Sequence, residues 1–186
     1  MPENLKTDLS KFDSSWFKPG NKICWVLWHI TSSLFFINPL FTLTAPKVFF
    51  LRLFGAKVGK GTVIKTRVVI KFPWNLEIGD YVWLGENCWI ENQAKVKIGN
   101  NCCLSQGAML LTGNHNYKKT TFDLEIGDIT LEEGVWIGAH AVVCPGITCK
   151  SHAVLSVNSV ATSTLEAYTI YKGNPAVKVR ERVINS

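Results

Sequence analysis

The sequence has no CxxC pair, no zinc-finger spacing and only four histidines in its 186 residues. It therefore offers no motif for a structural zinc site, and we expect its six cysteines to be small buried residues in a reducing compartment. RNA-binding aromatic motifs are also missing, and the net charge of +6 is carried by scattered cations. These absences argue against a nucleic-acid partner and leave an anionic ligand or a membrane surface as candidates.

Charge is absent from one long run, because residues 23–46 contain no Asp, Glu, Lys or Arg. The run is long enough to cross a membrane, but Asn38-Pro39 near its middle favours two short helices separated by a break. We expect these helices to pack on the end of the main domain. Two alternatives stay open, namely a transmembrane helix or helices lying in a membrane interface. In the second case the anchors are aromatic and cationic: Trp16, Trp25, Trp28, Lys22 and Lys47.

The dominant feature of the remaining chain is a six-residue spacing of apolar side chains, and Val58-Gly59, Ile78-Gly79 and Ile98-Gly99 recur 20 residues apart. The series runs through Val58, Ile64, Ile70 and Leu76; Ile78, Leu84, Ile90 and Val96; Ile98, Leu104 and Leu110; and Leu131, Ile137, Val143, Cys149, Leu155 and Ala161. Helices repeat near 3.6 residues and strands at two, so neither explains this period. A triangular coil does, because each side takes one hexapeptide with one aliphatic residue pointing inward. The sequence thus predicts a mainly β protein built as a parallel β-helix, with an antiparallel β-sandwich as the alternative.

The pattern divides the chain into three segments. Residues 1–56 are predicted to form an N-terminal arm and the apolar helical region, with a helix ending at Gly55. Residues 57–165 are predicted to form the β-helix with an inserted loop at about 112–130, and residues 166–186 to close it with a short helix or strand. The loop contains Leu124–Asp128 (LEIGD), a copy of Leu76–Asp80, but Leu131 fits the six-residue register better as the point where the coil resumes.

The inserted loop carries Gly113, Asn114 and His115 away from the coil. Loops of this length in compact domains are usually functional or disordered. A neutral imidazole titrates near pH 6.5, so His115 is suited to removing a proton from a reacting group. The alternative is a turn residue without a role. The other histidines are expected to be structural or surface residues: His29, His140 and His152.

Several short motifs, together with the hexapeptide rungs, resemble the hexapeptide-repeat acyltransferases over about Val58 to Arg182. They are Val135-Trp136-Ile137-Gly138, Pro145-Gly146 and Gly173-Asn174-Pro175-Ala176. Further stretches look like the colanic-acid-type acetyltransferase subgroup: residues 53–59 (LFGAKVG), Phe72-Pro73-Trp74, Leu104-Ser105-Gln106-Gly107 and residues 112–117 (TGNHNY). The resemblance implies a left-handed coil, which the spacing by itself does not determine.

The resemblance also implies a homotrimer that binds acetyl-CoA as co-substrate in the groove between neighbouring β-helices, with no metal required. His115 falls on the family's catalytic histidine. Gly107 stands where some members have an Asn whose carbonyl orients that histidine, and its own carbonyl is expected to keep this role. The implied cofactor-binding residues are Trp136, Ala139, Val157, Thr162, Lys178 and Arg180. Candidate contacts to a saccharide acceptor are Asn114, Tyr117 and Trp74.

These features predict an acetyl-CoA-dependent O-acetyltransferase that acts on a sugar or an exopolysaccharide precursor. His115 is the expected general base for direct transfer, and a backbone N–H at a coil corner is expected to meet the oxyanion. Two other functions on the same fold are weighed against it. They are a non-catalytic β-helix scaffold and a metalloenzyme of the γ-carbonic-anhydrase kind, which needs three histidines from neighbouring coils. We expect a cytoplasmic protein, with membrane association as an alternative.

Overall fold

The computed structural model describes residues 5–185, so the first four residues of the predicted arm and the last residue of the C-terminal segment lie outside it. Most of the chain winds into a left-handed parallel β-helix whose short strands stack into three flat faces. Each coil passes once through faces A, B and C before the next coil begins. This arrangement confirms the fold predicted from the six-residue spacing.

The strands and helices are numbered in chain order. Face A consists of β1 (Lys57–Val58), β4 (Leu76–Ile78), β7 (Val96–Ile98), β12 (Ile129–Leu131) and β15 (Thr148–Cys149). Face B consists of β2 (Val63–Ile64), β5 (Trp83–Leu84), β8 (Cys103–Leu104), β13 (Trp136–Ile137), β16 (Val154–Leu155), β18 (Thr169–Gly173) and β19 (Ala176–Glu181). Face C consists of β3 (Val69–Ile70), β6 (Trp89–Glu91), β9 (Met109–Leu111), β14 (Val142–Val143) and β17 (Val160–Ala161).

The residues at steps of six fill the interior of the coils. From Ile64 through Leu110, and again from Leu131 through Ala161, the members of the series are buried. Cysteines occupy part of this core, and burial raises the pKa of the Cys88 thiol to about 12. The expectation of buried cysteines is wrong for Cys24, which is exposed, while Cys103 and Cys144 are half-buried.

The inserted loop begins as a hairpin outside the coil. Strand β10 (Gly113–His115) pairs antiparallel with β11 (Leu124–Ile126), so the second LEIGD segment does not continue the β-helix. The coil resumes at β12, where Leu131 lies in register with Ile98. The register predicted from Leu131 is therefore confirmed. The second LEIGD segment pairs with β10 of the hairpin and not with a strand of a neighbouring coil.

The apolar N-terminal region forms α1 (Lys22–Thr31), which continues as a π-helical segment (Ser32–Ile37), and α2 (Thr44–Leu53). The interruption follows directly at Asn38-Pro39, and Gly55 adopts a φ of 92° after the second helix, as the sequence predicted. Both helices pack on the first coil. No helix in residues 5–185 is long and apolar enough to cross a membrane.

Side chains of the helical region close the first coil by hydrogen bonds on each face, and on face B Thr44 Oγ1 contacts both the N–H and the carbonyl of Ile64 at 3.3 Å. Arg52 Nη2 donates to the Val58 carbonyl at 2.7 Å on face A. Lys47 Nζ donates to the Ile64 and Lys65 carbonyls at 3.3 and 2.7 Å on face B. Trp28 Nε1 donates to the Ile70 carbonyl at 2.7 Å on face C. Because burial of unpaired carbonyls is costly, these contacts explain how helices can cover the end of a β-helix.

The opposite end is closed by a hairpin, because β18 pairs parallel with β16 and antiparallel with β19. Of the two forms expected for the closing segment, the structure has the strand.

Candidate active site

His115 lies at the end of β10, on the loop that leaves the corner between faces C and A after the third coil. Its ring Nδ1 is 3.0 Å from the Phe122 carbonyl oxygen. A carbonyl only accepts hydrogen bonds, so this contact requires the proton on Nδ1 and leaves the Nε2 lone pair available. The imidazole is thereby held in the tautomer that can take a proton from another molecule.

Within the chain, the carbonyl that contacts the His115 ring is that of Phe122, whereas the resemblance had suggested the carbonyl of Gly107. Gly107 lies against the ring of His140 instead, where a Cβ would overlap that ring. The hairpin explains the difference, because its return strand brings Phe122 back beside β10.

Two aromatic rings from different parts of the chain hold the imidazole. Phe122 stacks on it with ring centroids 4.4 Å apart and an interplanar angle of 7°, and Phe12 of the N-terminal arm contacts it at 5.6 Å. The arm is fixed to the loop by a backbone hydrogen bond of 2.8 Å from the Asp8 N–H to the Thr120 carbonyl. The arm thus forms one wall of the histidine's surroundings.

A pocket of about 400 Å³ opens beside His115. Its lining residues are Phe12, Ser14, Phe17, Glu91, Gln93, Gly113, Asn114, His115 and Leu124. Of the acceptor contacts expected from the sequence, Asn114 lies here, whereas Tyr117 is outside the lining and exposed. Trp74 lies elsewhere, with its indole packed over Gly20 of the arm.

Sequence reasoning missed Phe12, Phe17, Glu91 and Gln93 as part of this pocket. Glu91 and Gln93 flank the buried Asn92 in the chain, just after the inward-pointing Ile90. Their position in the six-residue pattern therefore could have identified them as outward-pointing residues. The two phenylalanines gave no local signal, because they reach the loop only through the path of the folded arm.

A separate groove of about 430 Å³ runs along face B. Four of the expected cofactor-binding residues line it together: Trp136, Ala139, Val157 and Arg180. The Trp136 indole N–H donates to Ser105 Oγ at 2.9 Å, which fixes the ring against the wall of the groove. Lys178 is exposed on β19 outside the lining, and Thr162 is exposed after β17 at the corner between faces C and A.

The histidine pocket and the groove share no lining residue. His115 and Thr162 belong to the corner between faces C and A, whereas Ala139 and Val157 belong to the corner between faces B and C. Within one chain, the expected catalytic and cofactor residues therefore form two half-sites on different corners of the triangle.

The outward-pointing side chains differ between the faces. Face A presents polar residues, namely Lys57, Glu77, Lys97, Thr130 and Thr148. Face B presents Val63, Trp83, Cys103, Trp136, Val154 and Ile170, and face C presents Val69, Trp89, Met109, Val142 and Val160. Apolar ladders of this kind are typical of surfaces that contact another protein or a ligand.

In the part of the chain that the structure describes, no group of three His, Cys, Asp or Glu side chains is arranged to hold a metal ion. His140 and His152 both adopt positive φ at coil corners, and His152 stacks on Tyr168.

The fold is similar to that of solved acyltransferase structures. A hexapeptide-repeat acetyltransferase from Vibrio cholerae matches with a TM-score of 0.78 and 20% identity, over 86% of this chain and 91% of that one. A second structure of that protein, in complex with acetyl-CoA, matches with a TM-score of 0.70 and 22% identity, over 75% and 78% of the two chains. At these identities the likeness shows the class of fold.

Sequence relatives are more specific, although no protein-family model matches the chain. A protein of Escherichia coli K12 named as a colanic acid biosynthesis acetyltransferase, WcaF, is 36% identical over 177 residues, which are 95% of this chain and 97% of that protein. The galactoside O-acetyltransferase of the same organism is 27% identical over 129 residues, 68% of this chain and 64% of that protein. The chain therefore belongs to the hexapeptide-repeat acyltransferases, in the colanic-acid-type acetyltransferase subgroup.

Proposed function

We propose that the protein transfers the acetyl group of acetyl-CoA directly to a hydroxyl of a sugar or an exopolysaccharide precursor, with His115 as general base. The observation that carries this proposal is the Nδ1 contact with the Phe122 carbonyl, because it leaves Nε2 as a proton acceptor. The relatives named as a colanic acid biosynthesis acetyltransferase and a galactoside O-acetyltransferase support the substrate class.

The proposed chemistry follows from the tautomer. Nε2 of His115 takes the proton of the acceptor hydroxyl while its oxygen attacks the thioester carbonyl. A backbone N–H at a coil corner stabilises the oxyanion of the tetrahedral intermediate. Collapse of the intermediate breaks the carbon–sulfur bond, and the protonated imidazole returns its proton to the departing CoA thiolate. No group of the enzyme needs to carry the acetyl group.

The pocket beside His115 suits a saccharide acceptor. Phe12 and Phe17 offer apolar ring surface, and Glu91, Gln93 and Asn114 offer hydrogen-bonding groups near it. Ligand sites commonly combine an aromatic lining with a few polar groups that fix orientation. Because Glu91 is paired with Lys71 at 2.6 Å, its carboxylate is held in place beside the pocket.

The two half-sites lead us to propose a homotrimer in which each active site lies between two subunits. The corner between faces B and C of one subunit would lie beside the corner between faces C and A of its neighbour, and repetition of such a heterologous contact around a threefold axis gives a closed ring. Trp136, Ala139, Val157 and Arg180 of one subunit would then hold acetyl-CoA, with Lys178 near the nucleotide end. The neighbour would contribute His115 and Thr162. The apolar outer ladder of face B supports this contact.

The scaffold and carbonic-anhydrase functions find less support. A scaffold does not require an imidazole fixed in one tautomer beside an open pocket, and the described histidines form no ligand set. We place the proposed reaction in the cytoplasm, where its thioester co-substrate is made.

The decisive measurement is release of CoA from acetyl-CoA, with and without a panel of sugar and glycolipid acceptors. We expect acceptor-stimulated release by the native protein and a loss of about 10²-fold or more in His115→Ala. His29→Ala is the matched control, because His29 is exposed on α1 and should leave the rate unchanged. Equal rates for His115→Ala and the native protein would overturn the assignment of the base, and acetyl-CoA binding without any transfer would favour the scaffold.

A further inference from the structure

The outer side of the helical region is an apolar surface that no described residue covers. On α1 and its π-helical continuation only Trp28, Ser32 and Phe36 are buried. The side chains facing away from the coil recur every three or four residues: Ile23, Val26, Leu27, Ile30, Leu34 and Ile37. Leu40, Leu43, Phe49 and Leu53 are further exposed apolar side chains on the connection and α2. We call these ten residues the cap surface.

An apolar surface of this extent on a helix is unusual in a protein that stands alone in water. A helix that packs on a core normally buries its apolar side and exposes polar residues. Here the buried side is narrow and the exposed side is aliphatic, so water contacts side chains that gain free energy when removed from it. The cap surface therefore calls for a partner, and the charges around it indicate which one.

The surroundings of the cap surface are basic. Residues 14–76 contain nine Lys and Arg and no Asp or Glu, whereas the whole chain carries only +6, so the remainder is net negative. Lys18 and Lys22 are exposed at the start of α1, and Lys60, Lys65 and Arg67 are exposed in the first coil beside the helices. An apolar surface bordered by cations is complementary to a bilayer with anionic headgroups.

Further observations favour a bilayer surface over the other partners of the cap surface. A symmetric contact between two cap surfaces would bring two basic regions together, and like charges disfavour it. Crossing the bilayer is not supported either, because none of the helices in residues 5–185 has the required length and apolar character. Trp25 is half-exposed beside the cap surface, and its amphipathic ring favours the boundary between headgroups and acyl chains.

We infer that the cap surface docks the protein on the surface of an anionic lipid bilayer, with its aliphatic side chains in the interface and Lys18 and Lys22 at the headgroups. The β-helix then stands away from the membrane, because the buried sides of α1 and α2 face the first coil. His115 emerges from the third coil. It would lie about 20 Å from the lipid, if each coil adds about 5 Å and the helical layer about 10 Å.

This inference stands apart from the chemistry proposed above, but the two combine. In the proposed trimer, a threefold axis parallel to the coils would place three cap surfaces at the same end. Their simultaneous contact with one bilayer would strengthen binding without any new contact. A membrane-docked enzyme would also be positioned for saccharides carried on a lipid, and this consequence rests on the proposed function.

The test is flotation of the full-length protein with vesicles of phosphatidylcholine containing 30 mol% phosphatidylglycerol, a composition on the order of that of an anionic leaflet. The probe variant is Leu27→Glu/Ile30→Glu, whose positions are 50% and 54% exposed. The matched control is Val183→Glu/Ile184→Glu at the opposite end, with positions 79% and 55% exposed and the same change in charge. None of these four residues lies in the proposed active site.

We expect the native protein and the control variant to float with the anionic vesicles, and the probe variant to lose at least about tenfold in bound fraction. Binding should weaken with pure phosphatidylcholine and with added salt, since part of it is electrostatic. Failure of the native protein to float, or equal behaviour of the two variants, would overturn the inference. So would lipid-free self-association that only the probe variant abolishes. Flotation does not depend on catalysis, so loss of acetyl transfer alone would overturn the proposed function and leave the docking intact.

Discussion

The two ends of the β-helix are closed by different means. In each coil, strand N–H groups donate to carbonyls of the following coil, as Gly59 does to Ile78 and Lys65 to Leu84. Other N–H groups donate in the opposite direction, as Tyr81 does to Lys60 and Asn101 to Asp80, so each end coil keeps both carbonyls and N–H groups without a partner in a neighbouring coil. At the first end the carbonyls receive donor-only side chains, from Arg52, Lys47 and Trp28, and the Ile64 N–H donates to Thr44 Oγ1 at 3.3 Å.

The last end is closed by backbone groups instead, and these include the Leu165 N–H, which donates to the Thr148 carbonyl at 3.0 Å. The Lys150 N–H donates to the Leu165 carbonyl at 2.9 Å, and the Ser156 N–H donates to the Tyr171 carbonyl at 2.8 Å. The two closures thus differ in kind, with side chains of the helical region at the first end and the backbone of the closing segment at the last. Two of the cations of the N-terminal half, Lys47 and Arg52, serve the closure at the first end.

The largest effect is expected from Trp28→Ala, which removes both the donor to face C and the central ring of the cap. The Trp28 ring packs 5.1 Å from Phe36 and 5.3 Å from Phe54. We expect a loss of about 3–5 kcal/mol in the free energy of unfolding, measured by urea denaturation. Trp25→Ala on the exposed side of the same helix is the control and should change stability little. A similar cost for both would show that the cap contributes through helix content and not through closure.

A smaller effect is expected from Lys47→Met, which keeps the apolar stem and removes the donor to face B. Lys47 is buried, and the loss of hydration lowers the pKa of its ammonium group. Its removal leaves the Lys65 carbonyl without this bond, and we expect a cost of about 1–3 kcal/mol in urea denaturation. The control is Lys97→Met, an exposed position in the middle of face A. If Lys47→Met were as stable as the control, side-chain donors would not be needed at this end.

The smallest effect is expected at the last end, where backbone bonds carry the closure. Arg182 Nη1 donates to the Gly134 and His152 carbonyls at 2.9 and 3.1 Å, on the side of the coils. Its replacement by Ala should cost about 0.5–1.5 kcal/mol, again by denaturation. A loss larger than that of Lys47→Met would reverse the ranking and show that side chains matter as much at this end.

The sequence predicted the coils of the β-helix well, but it did not predict the contacts that close the first coil. Aliphatic residues at steps of six predict the coil. Leu131 correctly predicts where the coil resumes, although the second LEIGD segment offered another starting point. Asn38-Pro39 and Gly55 mark the helix breaks. The donors that close the first coil gave no such signal, since a lysine or arginine in an apolar helix does not reveal which carbonyl it will meet.

The candidate site divides in the same way. His115 is recognisable as the residue that an insertion presents, and Trp136 by its place in a motif. The residues that contact His115 lie far along the chain or across a turn. Phe122 returns through the hairpin, and Phe12 arrives with the N-terminal arm. No spacing rule connects these residues to the histidine.

The sequence by itself therefore determined the coil and its register, because periodic side chains report directly on what each backbone position faces, and it identified His115 as the candidate base. The tertiary structure decided how the open ends are satisfied, which tautomer His115 adopts, and that its pocket and the groove of Trp136 lie on different corners. These depend on the direction of hydrogen bonds between distant segments, and only the folded chain brings those segments together.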